Sequence, residues 1–191
     1  MRNFFINDLL PEGFKVLLPE QAHKEEVISR SILDLFFQNG YSLVKTPMIE
    51  YEDNISQNTL QSLHNQSFLL MEPETKKILV LRSDITPQVA KLASTKLKHL
   101  PRPIRFAYSG EVIRNSKNNY KTERQLKQIG VELIGGPQEN SMVEVLDIAI
   151  TALQHINIKN ITIDFSLPSI FRIIDKNFNL KLKSNKNIRK A

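Results

Sequence analysis

The sequence predicts an α+β fold, an antiparallel sheet flanked by helices. Two long runs of strand character, 104–114 and 124–134, enclose a polar segment rich in Asn and Lys. Two shorter runs, 67–71 and 76–82, enclose Glu72-Pro73-Glu74-Thr75, a composition suited to a hairpin turn. Strands therefore follow one another directly, while helical periodicity appears before, between and after them.

In order, residues 10–18 (LPEGFKVLL) form a turn-bearing N-terminal segment around Pro11 and Gly13. Pro19 suits the first turn of a helix, and Glu20, Glu25 and Glu26 favour its N-terminal part. Val27, Ile28, Ile32, Leu35 and Phe36 recur at helical spacing, and Gly40 is a C-terminal stop. That stripe is read as core packing. Residues 41–44 continue as a short strand into 46–51. Pro47 cannot donate to a ladder, so it belongs at an edge or against a neighbouring subunit. The polar stretch 54–66 has no clear period and reads as a loop with a helical turn. After the first hairpin, Asp84 and Thr86 stand where turn and cap residues precede a helix over 87–97, whose apolar side is Val89, Leu92, Ala93 and Leu97. Gly135-Gly136-Pro137 ends the second long strand. Residues 139–156 form a helix with Met142, Val145, Leu146, Ala149, Ile150 and Leu153 as its stripe. Residues 161–165 alternate as a strand, and 168–174 begin a last helix.

Composition narrows the function. A chain of 191 residues, 41% hydrophobic and 24% charged, can bury a core and is not disordered throughout. With no cysteine, disulfides, thiolate metal sites and cysteine nucleophiles are excluded, and a reducing compartment is suited. No apolar run is long enough to span a bilayer, and the N-terminus has neither the apolar stretch nor the cleavage site of a signal peptide, so no membrane association and a cytoplasmic location are expected. The net charge of +6 lies wholly beyond residue 171, leaving the body neutral. The expected division is a folded domain over 1–171 and a basic Lys/Asn-rich segment over 172–191. A basic tail, in place of a basic folded face, argues against a nucleic-acid partner. His23, His64, His99 and His155 lack metal-ligand spacing, and there is no phosphate loop, dinucleotide fingerprint or nucleophile elbow. No catalytic residue, metal or cofactor is expected, and binding is the leading class.

The long hairpin offers a candidate surface. At period two, Arg124, Leu126, Gln128, Gly130, Glu132 and Ile134 share one face, and Gly110, Val112 and Arg114 share a face of the other run. Paired antiparallel, the two runs could set Arg114, Gln128 and Glu132 on one floor, with a gap at Gly130 where a small ligand approaches the backbone. The same pattern also suits a half-solvated sheet with ordinary polar outer residues.

Three stretches carry a resemblance. Residues 36–51 (FFQNGYSLVKTPMIEY) resemble motif 1 of class II aminoacyl-tRNA synthetases of the histidyl type, whose Pro-containing strand lies at a dimer interface. Residues 81–90 (LRSDITPQVA) resemble more closely the L-R-P-D-x-T-P-Q-V-A form of their non-synthetase relatives, the ATP phosphoribosyltransferase regulatory subunits, with Ser83 in the Pro slot. Residues 108–114 and 124–135 resemble motif 2, QIGVELIG above all. The resemblance implies a class II synthetase-like fold and places Asp84, Thr86, Arg114, Gln128 and Glu132 at positions that bind histidine or its adenylate. Carboxylates suit the ammonium, and Arg suits a carboxylate or phosphate. It further implies a non-catalytic regulatory subunit in the first step of histidine biosynthesis. Its partner would be the short-form catalytic ATP phosphoribosyltransferase, its ligand histidine, and its self-association a homodimer through the motif 1-like region. The alternative is a fragment or paralogue of histidyl-tRNA synthetase. Neither the later histidine-specific segment nor motif 3 occurs before Ala191, so an incomplete domain, cut short at its C-terminus, is expected.

Overall fold

Ten-residue strands form where β-branched and aromatic residues alternate with polar ones, and the long hairpin is the clearest case. A computed structural model of the protein describes residues 10–52, 66–115 and 123–165. Its elements are α1 (Pro19–Gln38), β1 (Ser42–Leu43), β2 (Ile49–Tyr51), β3 (Leu69–Met71), β4 (Ile78–Leu81), α2 (Thr86–Ser94), β5 (Ile104–Ile113), β6 (Gln125–Ile134) and α3 (Gln138–His155). Strands β5 and β6 pair antiparallel from Ile104↔Ile134 to Ile113↔Gln125. Glu132 therefore faces Phe106, Gly130 faces Tyr108, and Gln128 faces Gly110.

The even-numbered face of this hairpin packs on α2. Ile104, Phe106, Tyr108 and Val112 form one cluster with Ile85, Val89 and Ala93. The odd-numbered face packs on α1 and α3, where Ala107 lies among Phe36, Tyr41, Ile148 and Ala152, with Ile129 and Val131 alongside. Two helices, a sheet and a third helix thus form three layers, with a separate apolar cluster on each side of the strands.

Local chemistry sets the helix ends. α1 has Pro19 at its start and Glu20 in its first turn. It closes where Asn39 Nδ2 donates to Leu35 O at 2.8 Å and Gly40 takes φ +81°, the left-handed conformation of a helix stop. Its stripe is narrower than its periodicity implies: Phe36 is buried, while Val27 and Ile28 are exposed. In α3 the buried positions are Ile148 and Ala152, so the stripe runs one position off the expected one and leaves Met142 exposed.

The expected single antiparallel sheet is two three-stranded sheets, β1-β5-β6 and β2-β4-β3. One pairing is parallel, β1 on β5 with Ser42↔Phe106. Residues 161–165 carry no strand: their alternation finds no ladder partner among the described residues. The chain divides into two units, Met1–Lys159 and Asn160–Ala191. The expected boundary after residue 171 and the helix over 168–174 lie outside the described residues, as does most of the 54–66 loop. Among the described residues, no helix is long and apolar enough to cross a membrane.

Candidate functional site

The first turn of a helix has backbone N–H groups that need acceptors. At α2 these acceptors come from side chains. Ile85 N–H donates to Gln128 Oε1 at 3.0 Å, and Thr86 N–H donates to Asp84 Oδ1 at 3.0 Å. Gln128 Nε2 donates to the same Asp84 oxygen at 2.8 Å, which fixes the orientation of the amide. Asp84 is thus a turn residue and a network member at once, and its charge suits the positive end of a helix.

A second set lies further along β6. Thr86 Oγ1 donates to Glu132 Oε1 at 2.8 Å. Tyr108 Oη lies 3.1 Å from Thr86 Oγ1 and 3.3 Å from Glu132 Oε1. The single Thr86 proton is on Glu132, so the Tyr108 hydroxyl must be a donor here. Burial pushes the Tyr108 phenol up to about 12; the Thr86 hydrogen bond opposes this, and the charges of Glu132 and Asp84 reinforce it. The phenol therefore keeps its proton through the physiological range.

The structure brings four of the five expected residues, Asp84, Thr86, Gln128 and Glu132, into one hydrogen-bonded network. Arg114 stands apart from it. Its Nε donates to Ser83 O at 3.1 Å, next to Asp84, while its backbone N–H pairs with Arg124 O at 2.8 Å. By register Arg114 lies eight residues from Phe106, the partner of Glu132, or about 27 Å along the strand. The gap at Gly130 is also filled: a Cβ there would lie 2.5 Å from Tyr108 Oη. Sequence reasoning missed Tyr108, although it shares the even-numbered face with Gly110 and Val112.

Each carboxylate keeps one oxygen, Asp84 Oδ2 and Glu132 Oε2, without a hydrogen-bond partner among the described residues, and neither is in an ion pair there. Both side chains are half-buried. Two partly desolvated carboxylates with spare acceptors, and no ion-pair partner among the described residues, suit an ammonium group. Among the described residues, no cluster of His, Cys, Asp or Glu could hold a metal ion.

Known proteins resemble this chain over most of its length. The chain is 36% identical to the ATP phosphoribosyltransferase regulatory subunit of Rhodospirillum centenum, covering 96% of this chain and 47% of that one. It is also 36% identical to the protein of that name from Paramagnetospirillum magneticum, covering 85% of this chain and 43% of that one. It spans about half the length of these curated relatives. A crystal structure described as an ATP phosphoribosyltransferase regulatory subunit/histidyl-tRNA synthetase from Bacillus halodurans superposes with a TM-score of 0.71 at 29% identity, over 84% of this chain and 40% of that one. The apo histidyl-tRNA synthetase of S. aureus shares the fold, with a TM-score of 0.64 at 24% identity over 78% of this chain and 35% of that one. The class II synthetase-like fold expected from the sequence is thus the observed one. Residues 13–191 match the profile of the family described as histidyl-tRNA synthetase, and with nearly the whole chain so matched, the protein belongs to that family.

Proposed function

We propose that the protein acts as a non-catalytic regulatory subunit of ATP phosphoribosyltransferase, at the first step of histidine biosynthesis. It joins the short-form catalytic subunit in the cytoplasm and conveys feedback by histidine, with neither a nucleic acid nor a membrane as partner. The observation that carries this reading is the form of the α2 turn, Asp84-Ile85-Thr86-Pro87-Gln88, in a chain 36% identical to proteins bearing that name. Histidine is the proposed ligand. Its ammonium sits between Asp84 and Glu132, whose spare oxygens accept from it, and Thr86 and Gln128 hold the two carboxylates in place. Arg114, whose backbone lies far along the strand from Glu132 but whose Nε is held beside Ser83 O next to Asp84, reaches the carboxylate end from the Asp84 side. A homodimer forms through the motif 1-like region 36–51, where Leu43 and Ile49 are exposed apolar residues beside Pro47.

Co-purification with a short-form catalytic subunit tests the assignment: a stable complex is expected, and absence of association overturns it. The second reading, a histidyl-tRNA synthetase fragment or paralogue, draws on the family match and predicts histidine-dependent ATP–pyrophosphate exchange. The first reading predicts none.

A further inference from the structure

Arg82 follows the last residue of β4 and precedes the turn that carries Asp84. Its backbone is held on both sides: its N–H donates to Met48 O at 3.0 Å, and its carbonyl accepts from Ile113 N at 2.9 Å. Its side chain repeats the same bridge. Nε donates to Glu111 O at 2.7 Å, and Nη1 donates to Thr46 O at 2.9 Å and to Thr46 Oγ1 at 3.2 Å. Thr46 Oγ1 passes its own proton to Gln88 Oε1 at 2.6 Å, and Gln88 Nε2 donates to Pro47 O at 2.9 Å. Gln88 is buried at 7% exposure.

The acceptors of this guanidinium are two carbonyls and a hydroxyl, each on a different element from β4 and none of them a carboxylate. Its work is therefore geometric. Burial draws the Arg82 pKa down and the charge of Glu111 opposes that, so the group is partly desolvated where it lies. It can lie there because residue 110 is glycine: a Cβ at Gly110 would collide with Arg82 Nη2. Gly110 has no left-handed φ, so its value is the space it leaves.

We infer that Arg82 is a positioning residue that sets the Asp84 turn against the hairpin and ties it to the Thr46–Pro47 segment. This deepens the reading of Asp84 as an ammonium ligand and rests on that reading for its consequence. The contacts of Arg82 are to the protein itself, at Glu111 O and Thr46. It fixes where the chain enters the turn, Arg114 fixes Ser83 O one residue later, and Gln128 and Asp84 then cap α2.

Hydrogen exchange on the full chain tests the inference without a ligand. The Ile85 and Thr86 amides, bonded to Gln128 and Asp84, report the turn, and the β5–β6 ladder amides report global stability. Arg82→Met should accelerate exchange at Ile85 and Thr86 at least tenfold while the ladder changes less than threefold. Gly110→Ala, which displaces the guanidinium and keeps the arginine, should reproduce this effect, and the double variant should be no faster than Arg82→Met alone. Arg82→Lys, which cannot span Glu111 O and Thr46 O together, should fall between. Equal acceleration of all amides, no acceleration at the turn, or additive effects of the two substitutions overturns the inference. In calorimetry with L-histidine, Arg82→Met and Gly110→Ala should each bind about tenfold more weakly than wild type; a loosened turn with unchanged affinity also overturns the positioning role. A wild-type chain that binds no histidine overturns the ligand reading instead and leaves the exchange result to decide the turn.

Discussion

Replacing Gly130 by alanine strikes the network at its tightest approach. The new Cβ would lie 2.5 Å from Tyr108 Oη, 2.7 Å from Cζ and 3.1 Å from Cε2. Comfortable carbon contacts begin near about 3.5 Å, so the phenol end of the ring must retreat by about 1 Å. It has little room to do so, because Tyr108 is 5% exposed and packed among Ile85, Val89, Phe106 and Val112. Overpacking of this kind costs about 1–3 kcal/mol. A shift of that size also takes the hydroxyl out of hydrogen-bond range of Thr86 and Glu132, now 3.1 and 3.3 Å away, which costs about 1 kcal/mol more. The expected loss is about 2–4 kcal/mol, read as a lower urea midpoint at unchanged slope. Gly130 does not use a left-handed φ, so none of this loss is backbone strain. In a Tyr108→Phe background the closest approach is gone and the one to Cζ remains, so the same substitution should cost about 1 kcal/mol less. A Gly130→Ala protein within about 0.5 kcal/mol of wild type would refute the packing argument.

Alkaline unfolding follows from the two buried phenols. Burial pushes both Tyr41 and Tyr108 up to about 12 from 10.0, with Glu144 adding to the effect at Tyr41. Because the folded values are the higher ones, this contribution to stability is complete below pH 10 and is lost as pH rises toward 12. Ultraviolet titration of Tyr41→Phe and Tyr108→Phe should each remove one late-ionising tyrosine. At the acid end, the hydrogen bond from Arg105 holds the Glu144 carboxyl below its usual value, against a smaller effect of burial. Arg105 grips Glu144 with both ends at 2.6 and 2.7 Å, and Tyr41 Oη donates to it at 3.0 Å. A lowered folded pKa means stability present above about pH 4.5 and lost as pH falls through the folded value. Glu144→Gln should cost about 1 kcal/mol after discounting for solvent at this one-third-exposed pair, and should flatten the acid limb of a stability–pH curve. Asp84→Asn and Glu132→Gln keep the shape of the site and remove one charge each. Calorimetry should find histidine affinity down at least tenfold in each, with the unfolding midpoint nearly unchanged.

The long hairpin was legible because its signal is local. Period-two alternation places Gln128 and Glu132 on one face whatever the rest of the chain does, and β5 and β6 begin and end within a residue of expectation. Register was not legible, since it depends on how the intervening segment turns. Without register, the pairing of Tyr108 with Gly130 stayed hidden, and an occupied space was read as a gap. The placement of Arg114 stayed hidden for the same reason: sharing a face with Glu132 says nothing of distance along the strand, and only the fold sets its Nε beside Ser83 O. The parallel pairing of Ser42 with Phe106 joins residues far apart in sequence, and a two-residue strand has no pattern of its own. Arg82 looked like the end of a strand, because its role depends on Thr46, Gly110 and Glu111, which only the fold brings to it. The participation of Asp84 and Thr86 came from the resemblance, whereas their positions at a helix start came from local chemistry.

The regulatory assignment is tested most directly by the rate of phosphoribosyl transfer by a short-form catalytic subunit, measured with and without this chain. Adding the chain should raise the rate, L-histidine should lower the raised rate, and Glu132→Gln should blunt the inhibition while leaving the gain intact. A rate that does not change when the chain is added at concentrations that saturate its self-association would contradict it.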